Sequence, residues 1–199
     1  MSGPILTATV GKNDVVFGDV LALYVPDGAD ILDMTYGHGN FWRLIDRSKY
    51  SLVTNDWLVP ADYAQDFRNM NLEDASFDCI VLDPPYMHGG ATVKDSINKV
   101  YRNQNTSHES VIRLYAGGML EAARMLRKSG RFILKCQDEI ESAQQRLSHV
   151  ELIQLGELLG FKLLDLFVVV QPSTPAMRES YQKTARKNHS YFLVMEYRR

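Results

Sequence analysis

The stretch FDCIVLDPPY, residues Phe77 to Tyr86, is a short apolar run that meets an acid, two prolines and a tyrosine. The apolar part reads as a buried strand, bounded as strands in open α/β sheets are. Its end is unusual. A residue before proline is held extended, so Asp83 and Pro84 have little conformational freedom. Neither proline nitrogen carries a hydrogen, so neither makes a demand on the sheet. The result is a stiff corner that presents a carboxylate, the Pro84 carbonyl and an aromatic ring. Such a set suits a planar molecule with an exocyclic amine. Each oxygen can accept one N–H, and the ring can stack on the plane, worth roughly 1–3 kcal/mol. The plainer reading is a rigid turn with an exposed acid.

Strand-like and helix-like segments alternate around that stretch, as they do in α/β sheets. ADILDMTY and SLVTNDW read as strands before it, and RFILKC, FKLLDLFVVV and SYFLVMEY as strands after it. Apolar residues at helical spacing predict a helix over Ser107 to Arg127, with Ser107 as N-cap and Gly130 as its stop. HVELIQLGELLG repeats the pattern and ends at Gly160. Three segments fit no element: Met87 to Thr106, Gln137 to Ser148 and Gln171 to Ser190. Each follows a strand, and ligands bind outside the carboxyl ends of such strands, so these loops are expected to gather over a site.

The first strand runs into DMTYGHGNF, with Asp33 at its end and Gly37 and Gly39 in the turn to an expected helix. Two glycines without a third are a weak nucleotide signature, and an ordinary tight turn is the other reading. Asp56 follows about 20 residues later, where an acid can accept from both ribose hydroxyls. Asp66 and Phe67 come next, an acid and a ring that together suit an adenine. Solvated surface acids are the alternative for each taken singly.

The chain has 199 residues, 45% hydrophobic, enough for one domain with a full core. Its 22 basic and 24 acidic side chains give a net charge of −2, which argues against nonspecific coating of nucleic acid or of anionic membrane. Cys79 and Cys136 sit in apolar runs and read as buried free thiols, without metal-ligand spacing. A cytoplasmic protein is expected: the N-terminus lacks the layout of a signal peptide, and no apolar run is long enough to span a bilayer.

DPPY at a strand end, downstream of DMTYGHGNF, resembles the S-adenosylmethionine-dependent amino-methyltransferases of nucleic acid. Their catalytic tetrapeptide is matched at Asp83, Pro84, Pro85 and Tyr86. The resemblance implies a Rossmann-like class I methyltransferase fold over residues 1–199: a mostly parallel seven-stranded sheet, an antiparallel last strand, and helices on both faces. It places cofactor contacts on Asp33, Thr35, Tyr36, Gly37, Gly39 and Phe41, although Tyr36 and His38 depart from the family's small residues. It puts the ribose acid at Asp56 and the adenine pocket at Asp66 and Phe67. The implied reaction methylates an exocyclic amine without metal or covalent nucleophile. DNA adenine N6 is the expected target. DNA cytosine N4, RNA adenine N6 or guanine N2, and an inactive cofactor-fold subunit are the alternatives, while the glutamine-modifying relatives carry NPPY.

About 45 residues separate the glycine turn from DPPY, and no separate recognition domain is expected. Recognition then falls to the loops, to substrate shape, to a second copy of the chain or to a recognition subunit. Arg178, Lys183, Arg186 and Lys187 outnumber Glu179 in the last loop and suit phosphate contact, with a solvated basic loop as the alternative. Lys94, Lys99 and Arg102 add charge after DPPY, where Tyr101 and His88 are candidate base contacts. Lys135 and His189 lie at strand ends and are candidate substrate contacts.

Overall fold

In the computed structural model, residues 4–85, 107–171, 185 and 187–199 are described. The chain runs β1 (Ala8–Val10), α1 (Asn13–Tyr24), β2 (Asp30–Asp33), two short 3-10 helices (Asn40–Leu44 and Arg47–Lys49), β3 (Ser51–Thr54) and β4 (Phe77–Leu82). It continues through α2 (His108–Met125), β5 (Leu126–Cys136), the hairpin strands β6 (Glu139–Glu141) and β7 (Gln144–Arg146), α3 (Ser148–Leu159), β8 (Phe161–Val170) and β9 (His189–Tyr197). Seven strands form one sheet in the order β1-β8-β9-β5-β4-β2-β3. All neighbours are parallel except β9, which is antiparallel to both β5 and β8.

Alternation along β4 shows why this sheet is covered on both faces. Ile80 and Leu82 point into a core shared with Tyr115, Met119 and Leu152 of α2 and α3. Cys79 and Val81 point into the opposite core, with Phe17 and Val20 of α1 and with Trp42. A strand buried on both faces has to be apolar, which is what its sequence shows from Cys79 to Leu82; Asp78, near its start, is half-buried and paired with Arg127. Both cysteines are buried free thiols, and burial raises their pKa well above the ordinary value.

Ser107 caps α2 as expected. Its Oγ accepts the Ser110 N–H at 3.2 Å, and the Ser110 Oγ accepts the Ser107 N–H at 3.1 Å, a reciprocal capping box. The stop differs from expectation. The helix ends at Met125, and Leu126 already starts β5, so Gly130 lies within the strand. A Cβ there would come within 2.8 Å of the Arg127 carbonyl, so close backbone approach, not helix termination, demands the glycine. Gly160 does end α3, at φ +97°, with its N–H on the Glu157 carbonyl.

Three further features depart from the sequence reading. Helix α1 and strand β1, which adds to the sheet edge beside β8, were not expected. The turn after β2 leads to a 3-10 segment rather than an α-helix. The Gln137–Ser148 segment holds the β6–β7 hairpin, turned at Ser142 and Ala143 with φ +49° and +62°. Among the described residues, no helix is long and apolar enough to cross a membrane.

Candidate functional site

The sheet changes direction of winding between β2 and β4: β3 lies on one side of β2 and β4 on the other. Such a switch point opens a crevice at the carboxyl ends of the strands. The glycine turn, the Asp56 segment and the DPP corner all emerge there.

Asp33 closes β2 and is only 2% exposed. Its Oδ1 accepts the Thr35 N–H at 3.0 Å, and its Oδ2 accepts the Trp42 Nε1–H at 2.7 Å. The carboxyl thus folds the turn back onto the 3-10 segment. Burial pushes its pKa up to about 7, outweighing those two hydrogen bonds and adding to the like charges of Asp83 and Asp56.

The two turn glycines have different reasons to be glycine. Both have positive φ, +56° at Gly37 and +67° at Gly39. A Cβ on Gly37 would meet nothing within 4 Å, so its surface is open to a ligand. A Cβ on Gly39 would stand 2.5 Å from the Tyr36 hydroxyl, so Gly39 makes room for protein. Tyr36 in turn lies under the Arg47 guanidinium, 5.5 Å from the ring centroid. Phe41 packs on Phe17 and Phe192. Tyr36, Gly39 and Phe41 therefore brace the turn from behind.

Asp56 stands on the other side of the turn. Its Oδ2 accepts the Gly37 N–H at 2.9 Å, and its Oδ1 accepts those of Leu58 and Val59 at 2.7 and 3.1 Å. A carboxylate offers about four acceptor positions. Three are filled, which leaves capacity for about one external hydroxyl. Asn55, 1% exposed, ties the region together. It donates to the Met34 and Gln65 carbonyls and accepts the Gln65 N–H. Asp66 is paired with Arg68, Nη2 to Oδ2 at 2.6 Å, which holds its carboxyl below the usual range. Phe67 packs toward Gly118 of α2, where a Cβ would fall 3.0 Å from the ring.

At the DPP corner, the Asp83 N–H donates to the Thr35 hydroxyl at 2.7 Å. The corner and the glycine turn are therefore one hydrogen-bonded unit. Asp83 Oδ1 faces Lys135 Nζ at 3.5 Å. Burial raises the Asp83 carboxyl above its ordinary pKa, and Lys135 pulls it back.

A cavity of about 560 Å³ lies over these groups, within the range of small-ligand sites. Seven of the residues singled out from sequence line it: Thr35, Gly37, Asp56, Asp66, Phe67, Asp83 and Pro85. Asp33, Tyr36, Gly39, Phe41 and Lys135 stand behind it, and Pro84 is buried. His189 is not in its lining and hydrogen-bonds the Tyr191 hydroxyl at 2.9 Å. Lys187 is half-buried and also outside the lining. Tyr86, His88, Arg178, Lys183 and Arg186 lie outside the described residues.

Sequence reasoning missed several lining groups: Met34, Asn55, Trp57, Leu58, Gln65 and Arg68, and Ser110, Arg113 and Leu114 of α2. Trp57 had a readable signal. It follows a strand-end acid directly and is 61% exposed, an uncommon position for so large an apolar ring.

No protein-family model matches the chain, and no curated protein does. Solved structures do. A Bacillus halodurans protein provisionally assigned as a methyltransferase matches with TM-score 0.61 at 14% identity, over 93% of this chain and 100% of its own. The 1,6-didemethyltoxoflavin-N1-methyltransferase of Burkholderia thailandensis, solved with S-adenosylhomocysteine, matches with TM-score 0.58 at 13% identity, over 94% of this chain and 77% of its own. The cyclase SpnF matches with TM-score 0.58 at 13% identity, over 93% and 80%. The shared feature is architecture: this chain has the Rossmann-like fold of the class I methyltransferases, on which more than one chemistry is built.

Proposed function

We propose that the chain transfers a methyl group from S-adenosylmethionine to the exocyclic amine of a nucleic-acid base, adenine N6 in DNA before the alternatives. One observation carries this reading. Asp83 and Pro85 of the corner line a single cavity with Gly37 and Asp56 of the turn, and corner and turn are joined by the Asp83–Thr35 hydrogen bond. The S-adenosylhomocysteine in the Burkholderia enzyme supports the choice of cofactor.

The donor set fits that cofactor. The open face of Gly37 admits close approach to the backbone, and the remaining acceptor position of Asp56 suits a ribose hydroxyl. Phe67 offers a face for adenine, with Asp66, whose oxygens are engaged by Arg68, beside it. When bound, S-adenosylmethionine supplies an electrophilic methyl: the amine lone pair forms the C–N bond as the C–S bond breaks, and S-adenosylhomocysteine leaves.

The rest is the protein's work. An aromatic amine is a weak nucleophile because its lone pair is delocalised into the ring. Asp83 accepts one N–H and the Pro84 carbonyl the other, which favours a pyramidal nitrogen and tolerates the positive charge that develops. Fixed groups aimed at developing charge are usually the largest catalytic contribution. Holding nitrogen and methyl in line supplies much of the remainder. The methylated nitrogen then loses its extra proton to water. Tyr86 stacks on the base, and the basic residues Arg178, Lys183, Arg186 and Lys187 take the phosphates. A target within a duplex must first be flipped out, at a cost of a few kcal/mol.

The test is transfer of tritiated methyl to DNA, total RNA and free nucleosides, followed by digestion and mass analysis. N6-methyladenine from DNA is the expected product. Label in RNA alone would overturn the DNA assignment. Cofactor binding without transfer to any acceptor would favour an inactive cofactor-fold subunit instead.

A further inference from the structure

Lys135 was expected among the substrate contacts, but it is 2% exposed and does not line the cavity. Removing an ammonium group from water costs several kcal/mol unless it is well paired. Strands β4 and β5 pair with Leu82 opposite Leu134, so Asp83 and Lys135 occupy the next register position. Both lie on the face that carries Val81 and Ile133. The Lys135 ammonium stands 3.5 Å from Asp83 Oδ1 and 6.0 Å from the Phe41 ring centroid. At 3.5 Å the attraction is an ion pair more than a directed hydrogen bond.

Asp83 Oδ1 is buried, yet 23% of the Asp83 side chain is exposed. The open part therefore includes other atoms, and Oδ2 is the oxygen left for a ligand in the cavity. Burial works against a charge on Asp83. Lys135 is the opposing charge on β5. The thiol of Cys136, near both, is held protonated by burial.

We propose, resting on the methyltransferase reading of the site, that Lys135 is a positioning residue: it engages Oδ1 of Asp83, keeps that carboxylate ionised in a buried setting, and leaves Oδ2 to accept the substrate amine. The lysine is then part of the catalytic corner without touching substrate. It explains why the buried run Phe132–Cys136 at the end of β5 carries an ammonium at this position. The Phe41 ring, placed by the glycine turn, closes over the ammonium and links the cofactor side of the site to the charge state of its substrate side.

The proposal is tested first without any substrate, by titrating the Asp83 carboxyl carbon by NMR, with Asp83→Asn for assignment. An opposite charge this close shifts a carboxyl by about one pH unit or more. The Asp83 midpoint should therefore move up by about that amount in Lys135→Met and return most of the way in Lys135→Arg. An unmoved midpoint in Lys135→Met would overturn the proposal. Should that variant fail to fold by circular dichroism, Lys135→Gln takes its place with the same expectation. The second readout is the pH profile of methyl transfer. Lys135→Met should move the acid limb of kcat to higher pH while KM and cofactor affinity stay within about 2-fold. A kcat lowered equally at every pH would mean a merely structural lysine and would also overturn it. Absence of transfer by the unaltered protein would count against the methyltransferase reading, and the NMR titration would still decide the Lys135–Asp83 pairing.

Discussion

The backbone N–H of Asp83 donates to the side-chain hydroxyl of Thr35 at 2.7 Å, across the gap between β2 and β4. This bond couples the corner to the glycine turn, so each fixes the other's position. Replacing Thr35 by valine keeps the shape but leaves the Asp83 N–H without its acceptor. Stranding a largely buried donor costs about 1–3 kcal/mol. We expect Thr35→Val to lower the denaturation midpoint accordingly and to lower kcat, while Thr35→Ser retains both. Denaturant unfolding of the two variants checks this.

Asp56 satisfies three backbone N–H groups, those of Gly37, Leu58 and Val59. Asparagine is nearly the same size but turns one acceptor oxygen into an N–H₂ group. It would then face at least one backbone donor with another donor. Asp56→Asn should destabilise the fold by about 1–3 kcal/mol. In calorimetry it should weaken S-adenosylmethionine binding by about 10-fold or more, the equivalent of one hydrogen bond to a charged group. An Asp56→Asn protein that binds as tightly as the parent would remove Asp56 from the cofactor site.

Gly118 lies where α2 crosses β4. A Cβ there would stand 2.7 Å from Leu82 Cδ2 and 3.0 Å from the Phe67 ring. Alanine gains about 1 kcal/mol of helix propensity over glycine. Overpacking a tight core costs about 1–3 kcal/mol, so the clash should win. Gly118→Ala is expected to be destabilising, and to weaken cofactor binding by displacing Phe67. Leu120→Ala, on the exposed side of α2 at 57% exposure, should change stability by less than about 0.5 kcal/mol and serves as the control.

His108 begins α2 with its imidazole between two carboxylates: Nδ1 is 2.8 Å from Glu139 and Nε2 is 2.9 Å from Glu151. Burial alone would lower its pKa, but the hydrogen bonds to Glu139 and Glu151 outweigh that and raise it above 6.5. A raised histidine stabilises the fold fully below its unfolded pKa and loses that contribution as pH rises through the folded value. The stability difference between the parent and His108→Gln should therefore be larger at about pH 5.5 than at about pH 8.5, on either side of histidine's ordinary pKa. Urea unfolding at the two values measures it; an equal difference at both would show that folding leaves the histidine pKa unshifted, and a smaller one at about pH 5.5 that the imidazole is held neutral.

The elements that could be read from sequence are those whose burial is one-sided or continuous. Strand β4 is apolar from Cys79 to Leu82 because it is covered on both faces there, and α2 shows helical spacing because only one side packs. What escaped has other causes. The β6–β7 hairpin turns on Ser142 and Ala143, both in the left-handed region, where Asn-Gly or Asp-Gly would have announced the turn. Its strands are joined by charge, with Glu141 paired to Arg146, so they look like a polar loop. In the site, acids at strand ends were legible because their places follow from topology. Their partners were not. Asp66 and Arg68, two residues apart, are a local pair, but nothing local in the sequence shows that Asp33 meets Trp42 or that Lys135 points at Asp83. The first needs the turn folded back onto the 3-10 segment, and the second exists only once β4 and β5 are side by side.

The most direct test of the central claim compares cofactor binding and methyl transfer in the parent and in Asp83→Ala, on an acceptor found for the parent. The account predicts unchanged S-adenosylmethionine affinity by calorimetry, because Asp56, Gly37 and Phe67 are intact, together with a loss of at least about 10³-fold in single-turnover transfer. Transfer by Asp83→Ala at close to the parent rate would contradict the assignment of the corner as the amine-binding centre.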